Sequence, residues 1–173
     1  PLPVYTSVAY QSENESCLAF RRNTNYGESA SWDSIQWIYS SNPEVSRKPR
    51  ICASGSNVFL VWQDGTKSRP DVYYSYSVDH GSTWSEPAQF DHDTTNSWIS
   101  GEIESTTCGD ELYVVWTNHD PASRRFSVYF NRLQVQGNLL GIPFRLNDSV
   151  AGARNPAIVC DGQRIYVAWQ DKK

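Results

Sequence analysis

Three stretches of this chain repeat the same pattern at nearly constant spacing, and that spacing narrows what it can fold into. They read RICASGSNVFLVWQD at 50–64, STTCGDELYVVWTNHD at 105–120 and PAIVCDGQRIYVAWQD at 156–171. Each is an apolar run, a turn of Gly, Asp, Ser or Asn, and a second apolar run closing on Val-Trp or Ala-Trp with polar residues behind it. Trp62 and Trp116 are 54 residues apart, Trp116 and Trp169 53. A fixed period of this length marks a structural unit that stacks on copies of itself.

The unit reads as β-strands. VFLVW, LYVVW and IYVAW are β-branched and aromatic runs bounded by turn residues. VYYSYSV (72–78) and FSVYFNRL (126–133) supply third strands, PAQFD (87–91) and PFRLN (143–147) fourth strands. Three further strands are expected near the N-terminus, at 4–10, 16–22 and 34–40, and no segment has helical periodicity. Runs such as LYVVW are apolar on both faces, as in a sheet held between neighbouring sheets. Four antiparallel strands recurring about every 50 residues describe a β-propeller blade. The fold class is therefore all-β. A propeller domain over 1–173 is expected, with blades near 1–46, 47–98 and 99–150 and an incomplete blade at 151–173. That is about thirteen strands, or three to three and a half blades, with the first blade short of its innermost strand. Propellers close with at least four blades. The chain is thus either part of a larger ring or one half of a ring of six or seven blades completed by a second copy.

Residues 77–84 read Ser-Val-Asp-His-Gly-Ser-Thr-Trp. Asp79 is placed to accept backbone N–H bonds in a tight turn, Gly81 to take a positive φ, and Trp84 to return to the core. Ser77, Asp79, Gly81, Thr83 and Trp84 match the Asp-box, S-x-D-x-G-x-T-W, at every specified position. Asn25-Tyr26-Gly27-Glu28-Ser29 with Trp32 looks like a degraded copy, and Gln136-Gly137-Asn138 keeps only a turn. With this motif between third and fourth strands, the chain resembles the sialidase-like Asp-box (BNR-repeat) β-propellers. The resemblance implies a glycan or sialic-acid-type ligand. It also implies a central site in which arginines hold a carboxylate, a Tyr–Glu pair supplies the nucleophile and an Asp is acid/base. In that family the Asp-box lies on the outer edge, away from this site.

Arg50-Ile51-Cys52 is similar to the family's Arg-Ile-Pro blade opening, with the proline shifted to Pro49, which makes Arg50 a candidate anion ligand. Arg154, in Ala153-Arg154-Asn155-Pro156, opens the next clear copy and is a second. Glu102 and Glu104 alternate around Ile103 on one face of an extended segment and are candidate bases. Trp98, in a loop of Thr, Asn and Ser, is a candidate sugar-stacking platform. Arg124 and Arg125 read as solvent-facing loop residues, and Tyr113 and Tyr166 as core. Three readings follow. The chain is a glycan-binding module or the scaffold part of a glycosidase, an active exo-sialidase once the ring is complete, or a non-catalytic protein-binding propeller.

Other features exclude or weigh little. Net charge is −4 with the 15 basic residues scattered, which argues against nucleic acid as a partner. No apolar run reaches the length of a membrane helix. His80, His92 and His119 form no metal pattern, and no cofactor motif is present. Cys52, Cys108 and Cys160 fall at similar repeat positions and are expected to occupy separate pockets as free thiols. Sequons at Asn14 and Asn147 permit glycosylation and, with the family resemblance, lean towards an extracellular or periplasmic location.

Overall fold

In the computed structural model the described residues are 4–11, 16–25, 28–38, 46–64, 70–91, 98–134, 138–139, 141–148 and 152–172. They form fourteen strands and a single 3-10 turn at Ser29–Ser31. Strands β1 (Val4–Gln11), β2 (Ser16–Asn23) and β3 (Gln36–Ile38) make a three-stranded sheet. A four-stranded sheet follows: β4 (Arg47–Ser54), β5 (Asn57–Asp64), β6 (Asp71–Ser77) and β7 (Ala88–Gln89). The next sheet holds β8 (Trp98–Cys108), β9 (Glu111–Asp120) and β10 (Arg125–Gln134). Both β11 (Asn138–Leu139) and β12 (Phe144–Arg145) pair with β10. A hairpin of β13 (Ala153–Cys160) and β14 (Ile165–Asp171) ends the series. All pairings are antiparallel. Each expected strand has a counterpart, and β11 is the fourteenth. Trp98 begins β8 rather than sitting in a loop.

The sheets pack face to face, and their first strands lie side by side, β1 on β4, β4 on β8 and β8 on β13. This is the radial arrangement of a propeller. Register shows how the first sheet corresponds to the second. Phe20 of β2 pairs with Gln36, and Ile38 two residues on is buried; Tyr74 of β6 pairs with Ala88, and Phe90 two residues on is buried. Strands β2 and β3 therefore match the third and fourth strands of the second sheet.

Aromatic and aliphatic side chains fill both interfaces. Between the first and second sheets, Leu18, Phe20 and Ile38 meet Leu60 and Trp62. Between the second and third, Phe59, Val61, Val72, Tyr74 and Phe90 meet Ile103, Leu112, Val114, Trp116 and Leu133. Trp62 and Trp116 are buried as the repeat predicted. Trp169 is only half-buried, because the described residues cover one face of its hairpin. Where the short fourth strand runs out, a side chain replaces the ladder. Asp91 Oδ2 accepts from the Val72 amide at 3.2 Å, and Asn147 Oδ1 accepts from the equivalent Val128 amide at 2.9 Å. Asn147 is 1% exposed. That burial leaves the Asn147 side chain inaccessible in the folded chain; Asn14 lies outside the described residues.

The Ser77–Trp84 turn is closed by its own side chains. Asp79 Oδ1 accepts from the amides of Ser82 (3.0 Å) and Thr83 (2.8 Å), and Asp79 Oδ2 accepts from Thr83 Oγ1 (2.6 Å). Ser77 Oγ accepts from the Gly81 amide at 2.7 Å. These bonds, the Thr83 hydroxyl first among them, hold the Asp79 carboxyl far below its ordinary value of 3.8. At the matched place in the first sheet, Asn23 Oδ1 accepts from the Asn25 amide at 2.8 Å and the Asn25 carbonyl from the Glu28 amide at 3.0 Å. The degraded copy thus begins at Asn23, two residues before the segment singled out in the sequence. Arg22 ties the two sheets together, pairing with Asp33 at 2.7 Å and donating to the His80 carbonyl at 2.9 Å.

The cysteine expectation is overturned. Cys108 and Cys160 form a disulfide with their Cα atoms 5.8 Å apart. Repeat-related residues on first strands do not occupy separate pockets, because those strands converge and face each other. The same contact one sheet earlier pairs Cys52 Sγ with Ser105 Oγ at 3.7 Å, and burial pushes the Cys52 thiol up to about 12.

Two measurements check this account. Gly81 sits at φ +82° with the Phe20 ring 2.5 Å from where a Cβ would stand, whereas Gly109 has a positive φ and open space. In urea unfolding, Gly81→Ala should cost about 2–4 kcal/mol through strain and overpacking, and Gly109→Ala about 1 kcal/mol. Reducing the Cys108–Cys160 bridge, which spans 52 residues, should lower stability by about 2–4 kcal/mol.

Candidate functional site

The end of the sheets where the first strands begin carries the chemistry. The Ser77–Trp84 turn lies at the other end, about 20 Å away along β6 at ordinary strand rise. Each first strand of the second, third and last sheets is interrupted near its start by a bulge: Arg47/Arg50, Ile99/Ile103 and Arg154/Ala157. Bulges bend a strand and re-aim its side chains. At two of them a non-glycine residue takes a left-handed conformation, Lys48 at φ 53° and Asn155 at φ 52°. Asparagine tolerates this, but for lysine it costs about 1 kcal/mol.

Three of the residues proposed from sequence meet here. Arg50 Nη2 lies 2.8 Å from Glu104 Oε1 and 3.4 Å from Glu102 Oε2, and Arg50 Nη1 donates to the Pro49 carbonyl at 3.1 Å. The hydrogen bond to Glu104 leads the effects that raise the Arg50 pKa above its ordinary value. Lys48, which sequence reading missed, completes the group. Its Nζ lies 3.3 Å from Glu102 Oε1 and donates to the Gly101 carbonyl at 3.1 Å. Two cations and two carboxylates thus balance across adjacent first strands, each about one-third to two-fifths exposed. The carboxylates can accept hydrogen bonds, and the cations orient them. Arg50 donates into this cluster, so a free anion competes with Glu104 for it.

Arg154 is elsewhere. Its guanidinium stands 3.5 Å over the Phe126 ring, beside Arg124 and Lys172. Register also corrects its repeat partner. Arg154 pairs with Gln170 and Arg47 with Gln63, so Arg47, not Arg50, is the equivalent of Arg154. The signal was present in the sequence as Arg-x-Pro, at Arg47-Lys48-Pro49 and Arg154-Asn155-Pro156, each 15 residues before its repeat tryptophan. Trp98 pairs with His119 at the start of β8, and its side chain lies outside what the structure describes. Tyr166 is 48% exposed, not core, and its hydroxyl donates to Asp161 at 2.8 Å. Tyr113 is half-buried and donates to Glu111 at 2.6 Å. His92 lies outside the described residues, and among those described no cluster of His, Cys, Asp and Glu could hold a metal ion.

No family model matches the chain, and no curated protein matches it. Solved structures do. A mutant of the NanB sialidase of Streptococcus pneumoniae superposes with a TM-score of 0.62 at 11% identity, over 94% of this chain and 25% of that one. An α-L-arabinofuranosidase of Lactobacillus brevis gives a TM-score of 0.56 at 10% identity, over 96% of this chain and 60% of that one. The catalytic domain of a GH62 α-L-arabinofuranosidase of Coprinopsis cinerea gives 0.51 at 13%, over 91% and 56%. At these identities the likeness establishes the fold alone: the chain is an all-β, partial propeller. It spans a quarter of the first structure and less than two-thirds of the other two.

A double-mutant cycle on Arg50 and Glu104 measures how tightly the cluster is made. With both side chains about one-third exposed, the coupling energy in urea unfolding should be about 0.5–1 kcal/mol and should shrink in high salt.

Proposed function

We propose that the chain is part of a sialidase-like Asp-box propeller that recognises glycans where its first strands begin. The observation that carries this reading is the meeting of Lys48, Arg50, Glu102 and Glu104 across two adjacent strands. Partly exposed carboxylates held by cations are suited to accepting bonds from the hydroxyl pairs of a sugar ring. The Ser77–Trp84 turn serves as the Asp-box, a structural staple at the far end that binds nothing. In this reading the blades lie near 1–46, 47–98 and 99–150, with a partial blade from 151. The remaining blades come from further chain or from a second copy.

A glycosidase activity is the second reading, favoured by the two glutamates beside an arginine. In it, Glu102 or Glu104 works only once other blades supply the acid/base partner and the rest of the substrate pocket. A protein-binding role has no specific observation in its favour.

Glycan-array binding tests the first reading. Glu104→Gln and Arg50→Gln should each weaken binding about tenfold, the range for a charge-assisted hydrogen bond. Arg145→Gln, on the outer edge strand β12, should leave it unchanged. Binding unaffected by Glu104→Gln, or confined to a protein partner, would overturn it. Turnover of a fluorogenic sialoside or arabinoside that is lost in Glu104→Gln would move the assignment to hydrolysis.

A further inference from the structure

The charges of the rim cluster say which kind of sugar it can hold. Lys48 Nζ is taken up by Glu102 Oε1 at 3.3 Å and the Gly101 carbonyl at 3.1 Å. Arg50 is taken up by Glu104 Oε1 at 2.8 Å, Glu102 Oε2 at 3.4 Å and the Pro49 carbonyl at 3.1 Å. Each cation therefore already has a carboxylate. Of the carboxylate oxygens in the cluster, Glu104 Oε2 alone has no partner among the described residues.

Register shows why Glu104 is open. Arg50 pairs with Val61, Glu104 with Val115 and Ala157 with Ala168, each opposite the residue before a repeat tryptophan. The three hold equivalent positions on β4, β8 and β13, which pack side by side. Across these strands the position carries a cation, then a carboxylate, then a methyl group. Glu104 thus has Arg50 on one neighbouring strand and the exposed Ala157 on the other. Arg154 stands 3.5 Å over Phe126 and makes no ion pair with Glu104.

An acidic sugar has to draw Arg50 or Lys48 away from a glutamate. It exchanges one charge-assisted bond for another, and its carboxylate then faces the glutamate left behind, a like-charge contact. Neutral hydroxyls meet neither obstacle. They donate to Glu104 Oε2 while the ion pairs stay closed. We infer that the rim site takes neutral glycans and discriminates against sugars carrying a carboxylate, with Glu104 both touching the ligand and supplying the repulsion. This is the reverse of the sialic-acid-type ligand implied by the sequence resemblance. It rests on the glycan reading and specifies the class of sugar for the same site.

The test is isothermal titration of the chain at low salt with paired sugars: galactose oligomers against galacturonic acid oligomers, and lactose against sialyllactose. Thermal melts check that each variant is folded. The neutral member should bind about tenfold more tightly, the range for one charge-assisted hydrogen bond. In Glu104→Gln, neutral binding should weaken and acidic binding strengthen, because Arg50 is released and the repelling charge is gone. A general loosening of structure would weaken both members together, so the opposite movements are the signature. If Glu104→Gln does not fold, Glu102→Gln reads the same quantity by releasing Lys48, and should move the ratio in the same direction. Equal binding within the pairs, or preference for the acidic member, overturns the neutral assignment and leaves the glycan reading standing. A ratio unchanged in both variants overturns the role given to the glutamates. No binding of either member of either pair overturns the glycan reading and this inference with it.

Discussion

The organisation of this chain depends on sheets that are apolar on both faces. A sheet of this kind cannot meet water on either side, so each must be stacked between others. Strand β5 shows the result, with every residue from Val58 to Asp64 buried. Strand β14, which carries the same kind of sequence but is covered on one face only among the described residues, alternates between half-buried and exposed over Ile165–Gln170. Trp62 and Trp116 occupy successive interfaces, and the stacking brings the first strands of adjacent sheets into contact.

That contact generates the chemistry. Residues about one repeat apart become neighbours, whatever their types. Lys48 meets Glu102 and Arg50 meets Glu104, each pair 54 residues apart. Cys52 meets Ser105, and Cys108 meets Cys160 as a disulfide. One geometrical rule thus explains an ion-pair cluster and a covalent link that look unrelated in the sequence. It also separates the two ends of the sheets. At one end, Asp79, Ser77 and Thr83 satisfy one another inside a turn, leaving little to offer a ligand. At the other, bulges and left-handed residues hold charged side chains at the rim, a strain of the sort found at functional sites.

Much of this was legible in advance. The strand pattern, the stacked sheets and the buried tryptophans follow from hydrophobic runs and their period, which are local properties. The turn at Ser77–Trp84 was equally clear, because its hydrogen bonds all lie within a few residues. Glu102 and Glu104 were read as sharing one face of an extended segment, and in the fold both approach Arg50. What failed was register. Arg50 and Arg154 were each read as opening a copy, although the bulges make Arg47 the residue that matches Arg154. Tyr166 was read as core from its alternation, but alternation does not say whether a neighbouring sheet covers that face. Asn147 matched a sequon, but in the fold it replaces a strand's last hydrogen bond.

The sequence alone determined that this chain is all-β, that it repeats about every 54 residues, and where its tightest turn must fall. Those outcomes depend on apolar periodicity and on side chains that bond to their own backbone. Only the tertiary structure decided which repeats face each other and with what offset. It therefore decided that two cysteines join, that Arg50 is engaged by glutamates, and that Arg154 lies over an aromatic ring. Pairing across an interface is a property of two surfaces brought together, and a linear pattern carries no record of the bulges that set their alignment.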